Sequence, residues 1–278
     1  MAYHAGILFP SINRRIENSP PLLMKHIPNI FTLLNLVFGC LALIFIFQTG
    51  IGFIYASDGS PVEYIIPEKI WLASLFVGLA AIVDFLDGLV ARLFKAASEM
   101  GKELDSLADL VSFGVVPGMI VFQFLKLNFM QEKGGLDFSF VWLLPALLIP
   151  CAAAYRLARF NLDKSQSVGF TGIPTPAVGL LVASLPLIYW TSEFPVITTI
   201  LLNKWGLYIL ILFVSYGMIS HWPLLSFKFK DFSIRHNLPR YILIIVAMAA
   251  FALLRWLAVP LMFILYIVVS LAFKKSNP

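Results

Sequence analysis

Charge is scarce in this sequence. Asp, Glu, Lys and Arg make up 13% of its 278 residues, where soluble domains carry about 25%. Hydrophobic residues account for 60%, and the mean hydropathy is +0.88. Those values exclude an ordinary soluble domain. Cysteine is scarcer still: Cys40 and Cys151 both lie in apolar runs, so neither a disulfide framework nor a CxxC metal site follows. The four histidines have no zinc-ligand spacing. A net charge of +5 raises nucleic acid as a partner, but the basic residues are scattered over short loops and form no patch. No internal repeat or low-complexity tract is visible. The first 26 residues carry Arg14, Arg15, Glu17 and Lys25 among Pro10, Pro20 and Pro21, with no small-residue cleavage site. They are read as a cytoplasmic arm (residues 1–26), either amphipathic around Ile12–Ile16 or disordered.

What fills the chain is a series of apolar runs long enough to cross a bilayer. The expected fold is an all-α polytopic membrane protein of about eight transmembrane helices. A six-helix core occupies residues 27–220, and residues 221–278 supply a basic loop and two extra C-terminal helices. The expected spans are Ile30–Phe47, Trp71–Phe94, Leu104–Leu127, Phe140–Tyr155, Ala177–Trp190, one centred on Leu207–Met218, Tyr241–Leu254 and Leu257–Phe273. Residues 50–68 read as a loop, and Gly114 and Pro117 should bend the third span. The last two spans are parted only by Arg255-Trp256; a tight hairpin is favoured over one broken helix. Eight spans put both termini on one side, together with fifteen of the 20 Lys and Arg residues. By the positive-inside rule that side is cytoplasmic.

Beside these runs stand four aspartates, in Asp84-Phe-Leu-Asp87-Gly88-Leu-Val-Ala91-Arg92 and, eight residues on, Gly101-Lys-Glu-Leu-Asp105-Ser-Leu-Ala-Asp109. An acid at bilayer depth costs about 2.5–3.5 kcal/mol on insertion scales, so a cluster of them needs compensation. Helical spacing puts Asp84, Asp87, Gly88 and Ala91 on one face, and Gly101, Asp105 and Asp109 on another. Antiparallel helices joined by the short basic turn between them would bring the two acidic faces together. Carboxylates that close repel one another unless cations sit between them. An all-oxygen ligand set suits two divalent cations, Mg²⁺ or Mn²⁺. Gly88 and Ala91 leave room for a bulky ligand, and Arg92 offers a planar fork for phosphate.

This stretch resembles the signature of the CDP-alcohol phosphotransferase family, D-x2-D-G-x2-A-R-x8-G-x3-D-x3-D, at every fixed position. The resemblance implies metal ligands at Asp84, Asp87, Asp105 and Asp109, and makes Asp109 the candidate catalytic base. It implies CDP-binding positions at Asn29, Thr32, Asp84, Gly88, Ala91, Arg92 and Gly101. Homodimers are typical of such proteins. The entry to the first span, Pro28-Asn29-Ile-Phe-Thr32, admits two readings: Asn29 caps the helix, or it contacts the nucleotide as the family resemblance suggests.

Two later runs resemble one branch of that family, the membrane-embedded phosphatidylserine synthases. They are Arg156-Leu-Ala-Arg159-Phe160-Asn161 and Phe170-Thr-Gly172-Ile-Pro174-Thr175-Pro176. The implied substrates are CDP-diacylglycerol and L-serine, and the implied products phosphatidylserine and CMP. Arg156, Arg159 and Asn161 become candidate serine contacts, since an arginine fork suits a carboxylate. Ordinary positive-inside anchoring is the competing reading of the two arginines. The Gly172-to-Pro176 segment reads more as a turn and helix start than as a substrate contact. Arginine alone does not separate serine from an acceptor such as glycerol 3-phosphate. A cation transporter is the alternative from another class, though no second copy of the acidic cluster exists to form repeated halves. The expected location is the bacterial inner membrane, with the active site facing the cytoplasm.

Overall fold

A computed structural model describes residues 22–49, 51–55, 57, 61–94, 98–132, 137–162, 172–222, 224 and 245–272. The expected helical membrane architecture is present. Helix α1 spans Leu22–Thr49, α2 Trp71–Leu93, α3 Glu99–Leu110 and α4 Val116–Gln131. Helix α5 spans Leu148–Leu162, α6 Thr175–Thr191, α7 Pro195–Leu201, α8 Lys204–Ile219 and α9 Ala258–Ala272.

Among the described residues, fewer candidate spans are found than the eight expected. Among the described residues, five helical runs are long and apolar enough to cross a bilayer, and the pair α7–α8, bent by 58°, would make a sixth. Helix α6 is apolar but only 17 residues long, somewhat short of the ~20 that a perpendicular span needs. At the C-terminus, where two spans and a hairpin were favoured, one helical run extends over Ile245–Leu271. It is interrupted at Arg255, whose φ of 51° ends the regular helix and starts a short 3₁₀ turn. The loop expected at residues 50–68 contains an antiparallel pair, β1 (Gly52–Tyr55) with β2 (Pro61–Ile65). Alternating Ile, Tyr and Val there carry β-propensity that the Gly and Pro content masked. The N-terminal arm up to residue 21, the turn at 95–97, residues 163–171 and the basic loop at 225–240 lie outside the described residues.

Helix α1 begins earlier than its apolar run suggested, so Pro28 lies inside the helix and Asn29 is not its cap. Leu22, Leu23, Met24 and Lys25 are good helix formers, and the helix runs on through Pro28, which lies beyond the first turn and forgoes one backbone hydrogen bond to the Met24 carbonyl. Helix α2 buries Ala73, Val77, Ala80, Val83 and Asp87, a stripe at three- and four-residue steps. Its opposite face, with Ile82 and Phe85, is exposed and suits lipid. Helix α3 is capped by Ser98, whose hydroxyl accepts from the Gly101 N–H at 3.0 Å.

The run from α3 into α4 is the centre of the bundle: 67% of its most apolar window is buried, against 17–39% in the other four. The bend expected from Gly114 and Pro117 takes the form of a π-helical turn over Val111–Val115. Pro117 has no N–H for the preceding turn, so widening the helix just before it costs fewer hydrogen bonds. Two neighbours approach that turn at glycines. Gly39 of α1 lies against Ser112, and Gly179 of α6 lies so near Phe113 that an added Cβ would come within 2.7 Å of the ring. The π turn is therefore gripped from two sides, and Asp109 sits two residues before it.

Candidate active site

The acids that sequence spacing put on two helix faces do converge. One carboxylate oxygen each from Asp84, Asp105 and Asp109 lies within 4.8 Å of the others. Asp87 is outside that group and faces an adjoining pocket, yet stays close enough to act electrostatically on all three. Helix α1 packs against both halves of the motif and supplies a neutral donor to each. Thr32 Oγ1 donates to Asp87 Oδ2 at 2.8 Å, and Asn35 Nδ2 donates to Asp109 Oδ1 at 3.0 Å. Among the described residues no side chain donates to Asp84 or Asp105, and Asp105 Oδ1 is buried without a partner.

Those features fit a divalent cation. Three convergent carboxylates give an all-oxygen donor set, the chemistry of Mg²⁺ and Mn²⁺ sites. A buried carboxylate oxygen without a donor is costly unless a cation satisfies it. The residues that can hold the metal are Asp84, Asp105 and Asp109, with Asp87 at the edge.

The adjoining pocket has a volume of about 190 Å³. It is lined by Pro28, Asn29 and Thr32 of α1, Asp87, Gly88 and Ala91 of α2, and Ser98, Gly101, Lys102 and Asp105 around the start of α3. Five of the expected nucleotide positions (Asn29, Thr32, Gly88, Ala91 and Gly101) are thus brought together, and Asp84 lies beside them. A Cβ added at Gly88 would meet nothing within 4 Å, so glycine there leaves the cleft open. Arg92 is placed otherwise: its Nε donates to the Gly88 carbonyl at 2.8 Å on the helix surface, and it does not line the pocket.

The three candidate serine contacts separate. Arg156 is buried, with Nη1 3.4 Å from Thr175 Oγ1, Nε unpaired, and Asp109 within electrostatic reach. Arg159 instead donates to the Ile219 carbonyl at 2.7 Å and to the Ser220 carbonyl at 3.2 Å, where α8 ends. Cations at a helix C-terminus are favourable there, which accounts for Arg159 without any ligand. Asn161 donates to Ser106 Oγ and Glu103 Oε2 and ties α5 to α3. Gly172 adopts φ 77°, and α6 starts three residues later at Thr175, as a turn and helix start would have it.

Sequence reading missed Asn35, Ser98 and Lys102. Asn35 follows Thr32 by one turn on an otherwise apolar face, a signal that was available. Lys102 lines the pocket while its Nζ donates to the Asn161 carbonyl at 3.1 Å, a contact between distant segments that no local pattern announces.

Known proteins share this sequence pattern. The chain is 31% identical to the CDP-diacylglycerol–serine O-phosphatidyltransferase of Bacillus subtilis over 166 residues, covering 60% of this chain and 78% of that protein. It is 41% identical over 128 residues to the Saccharomyces cerevisiae protein of that name, covering 43% of this chain and 42% of the relative. An archaetidylserine synthase from Methanothermobacter thermautotrophicus is 32% identical over 123 residues, with 44% and 48% covered. The chain thus spans over three-quarters of the Bacillus relative but less than half the length of the other two. A family model for CDP-alcohol phosphatidyltransferases matches residues 25–220, the stretch that builds the acidic cluster and the pocket, and the chain belongs to that family.

Proposed function

We propose that this integral membrane protein transfers the phosphatidyl group of CDP-diacylglycerol to the hydroxyl of L-serine, giving phosphatidylserine and CMP. One observation carries the reaction class: three convergent carboxylates inside an apolar bundle, opening beside a cleft lined by Asn29, Thr32, Gly88, Ala91 and Gly101. The choice of serine is supported by the names of the relatives and by Arg156.

Divalent cations held by Asp84, Asp105 and Asp109, with Asp87 alongside, would supply positive charge against the pyrophosphate. The cleft takes the cytidine end of the donor, with Gly88 keeping it open and Thr32 and Asn29 along its α1 wall. The acyl chains remain in lipid between the helices. Serine Oγ forms a bond to the phosphatidyl phosphorus, and the bond from that phosphorus to the bridging pyrophosphate oxygen breaks. CMP leaves with that oxygen and its electron pair, and the serine hydroxyl proton passes to the Asp109 carboxylate. Arg156, charged, buried and close to Asp109, is placed to receive the serine carboxylate. Residues 27–220 form the catalytic core, with residues 221–278 as an accessory C-terminal region. The charge bias of the loops favours a bacterial inner membrane with the site facing the cytoplasm, and a homodimer is the expected assembly.

The test is CMP release from CDP-diacylglycerol by the purified protein, with L-serine, with glycerol 3-phosphate, or with no acceptor. Each is run with Mg²⁺, with Mn²⁺ and with chelator. Release should require both metal and serine. Release that ignores serine but requires glycerol 3-phosphate would end the serine assignment and leave the reaction class intact.

A further inference from the structure

We infer that Asn35 is the positioning residue for Asp109, holding the carboxylate at the angle from which it takes the acceptor's proton. The inference rests on the proposed role of Asp109 as base but not on which alcohol is the acceptor.

Asn35 is fully buried. Its side-chain amide donates to Asp109 Oδ1 at 3.0 Å, which occupies one carboxylate oxygen and leaves the other to face the reacting groups. The amide nitrogen, not the oxygen, must point at a carboxylate, because an ionised carboxylate only accepts. The backbone of Asn35 is held as well: its carbonyl accepts from Ser112 Oγ at 3.1 Å. Ser112 lies in the π turn three residues after Asp109, so donor and base are braced against one another through two bonds. Gly39, one turn further along α1, allows the close approach to Ser112 that this bracing requires.

The division of labour on α1 makes the inference specific. Thr32 and Asn35 share a face, three residues apart. Thr32 lines the nucleotide cleft and bonds Asp87, whereas Asn35 does not line it and bonds Asp109. A donor that only supported folding would serve as well on any carboxylate. This one touches the acid assigned the proton, and its other amide atom is buried without a partner. Leucine at this position would be similar in volume and free of that unpaired oxygen, so packing alone favours an apolar residue. Apolar packing of the bundle therefore does not explain the asparagine.

The experiment compares wild type, Asn35→Leu and Thr32→Val in detergent, using whichever acceptor the wild type turns over. Thermal midpoint, kcat and KM for CDP-diacylglycerol are measured for each. Outer-shell partners of catalytic and metal-binding groups typically contribute 10–100-fold to activity. Asn35→Leu should lower kcat per folded molecule by about that factor, with KM within about twofold, while Thr32→Val should act chiefly on KM. Asn35→Gln keeps the donor but displaces it by about one carbon–carbon bond, and should fall between wild type and Asn35→Leu in kcat. The inference is overturned if Asn35→Leu keeps a wild-type kcat, if it changes KM alone, or if its activity falls only as its folded fraction does. Failure to use serine would refute the acceptor assignment and leave this comparison valid.

Discussion

Replacing Gly39 by alanine tests how closely α1 must approach the catalytic helix. Two effects oppose each other. Alanine favours a helix interior over glycine by about 0.8–1.0 kcal/mol. Against that, a methyl group at this position would overlap Ser112 Oγ and lie 3.1 Å and 3.2 Å from the Ser112 Cα and N. The hydroxyl cannot simply rotate clear, since it is committed to the Asn35 carbonyl. The other two atoms are backbone and move only with the π turn. Overpacking of this kind costs about 1–3 kcal/mol, so it should win and leave a net loss of up to about 2 kcal/mol. Relief requires α1 to shift by a few tenths of an ångström, and Thr32 and Asn35 would move with it. Misplacement by about 1 Å costs about 10²-fold in rate, so a fraction of that should cost about tenfold. The assay is CMP release by the detergent-purified protein alongside its thermal midpoint. A second substitution, Ser112→Gly, removes the side-chain overlap but leaves the two backbone contacts, so it should recover part of the lost midpoint. A Gly39→Ala protein as active and as heat-stable as wild type would refute the claim that this contact sets the position of α1.

Three further outcomes are expected. Asp105→Asn removes one of the three convergent ligands, and should reduce turnover by more than the 10–100-fold of an outer partner, with a higher Mg²⁺ or Mn²⁺ concentration for half-activation in a metal titration. Metal binding should also stabilise the fold: at about 100 times its Kd a ligand contributes about 2.7 kcal/mol, so the thermal midpoint should rise with Mg²⁺ or Mn²⁺ and fall back with chelator, and a midpoint indifferent to both would count against the site. The two arginines of α5 should part company. Arg159→Gln strips the end of α8 of its donor to two carbonyls and should lower the thermal midpoint by the equivalent of about 1–3 kcal/mol. Arg156→Gln should raise the KM for serine by about tenfold or more, the loss of one charge-assisted hydrogen bond; an unchanged serine KM would remove Arg156 from the acceptor site.

The aspartate site was readable because its information is local. Helical periodicity and fixed spacing put Asp84 and Asp87, then Asp105 and Asp109, on faces that only had to meet, and they meet. The apolar runs revealed most of the helices for the same reason. What was hidden depends on contacts between distant segments. Arg159 looked like a ligand because nothing in its neighbourhood announced that α8 would end beside it. Arg92 was read as a phosphate fork, and its Nε donates to the Gly88 carbonyl one turn back on its own helix. The true start of α1 was obscured because Pro28 was read as a boundary, whereas the helix runs through it from Leu22. Hydropathy says least about the spans where the chain is irregular: a bent pair at α7–α8, a 17-residue α6 and a left-handed residue at Arg255 do not follow from it.

The placement of donors also bears on why the cluster needs cations at all. Each aspartate costs about 2.5–3.5 kcal/mol to place at bilayer depth, and a hydrogen bond to a charged group returns about 1.5–3 kcal/mol. Asp87 and Asp109 each have one such donor, from Thr32 and Asn35, and can come close to offsetting their own burial. Asp84 and Asp105 have no side-chain donor among the described residues, yet both are in the convergent group. The two donors go to the two most buried of the four acids, Asp87 at the nucleotide cleft and Asp109, the proposed base. Of the other pair, Asp105 keeps one carboxylate oxygen buried without a partner, which a cation would satisfy. In the proposed site Asp84 and Asp105 are thus left to the cations, and Asp109 is the one acid of the convergent three that a neutral side chain also holds.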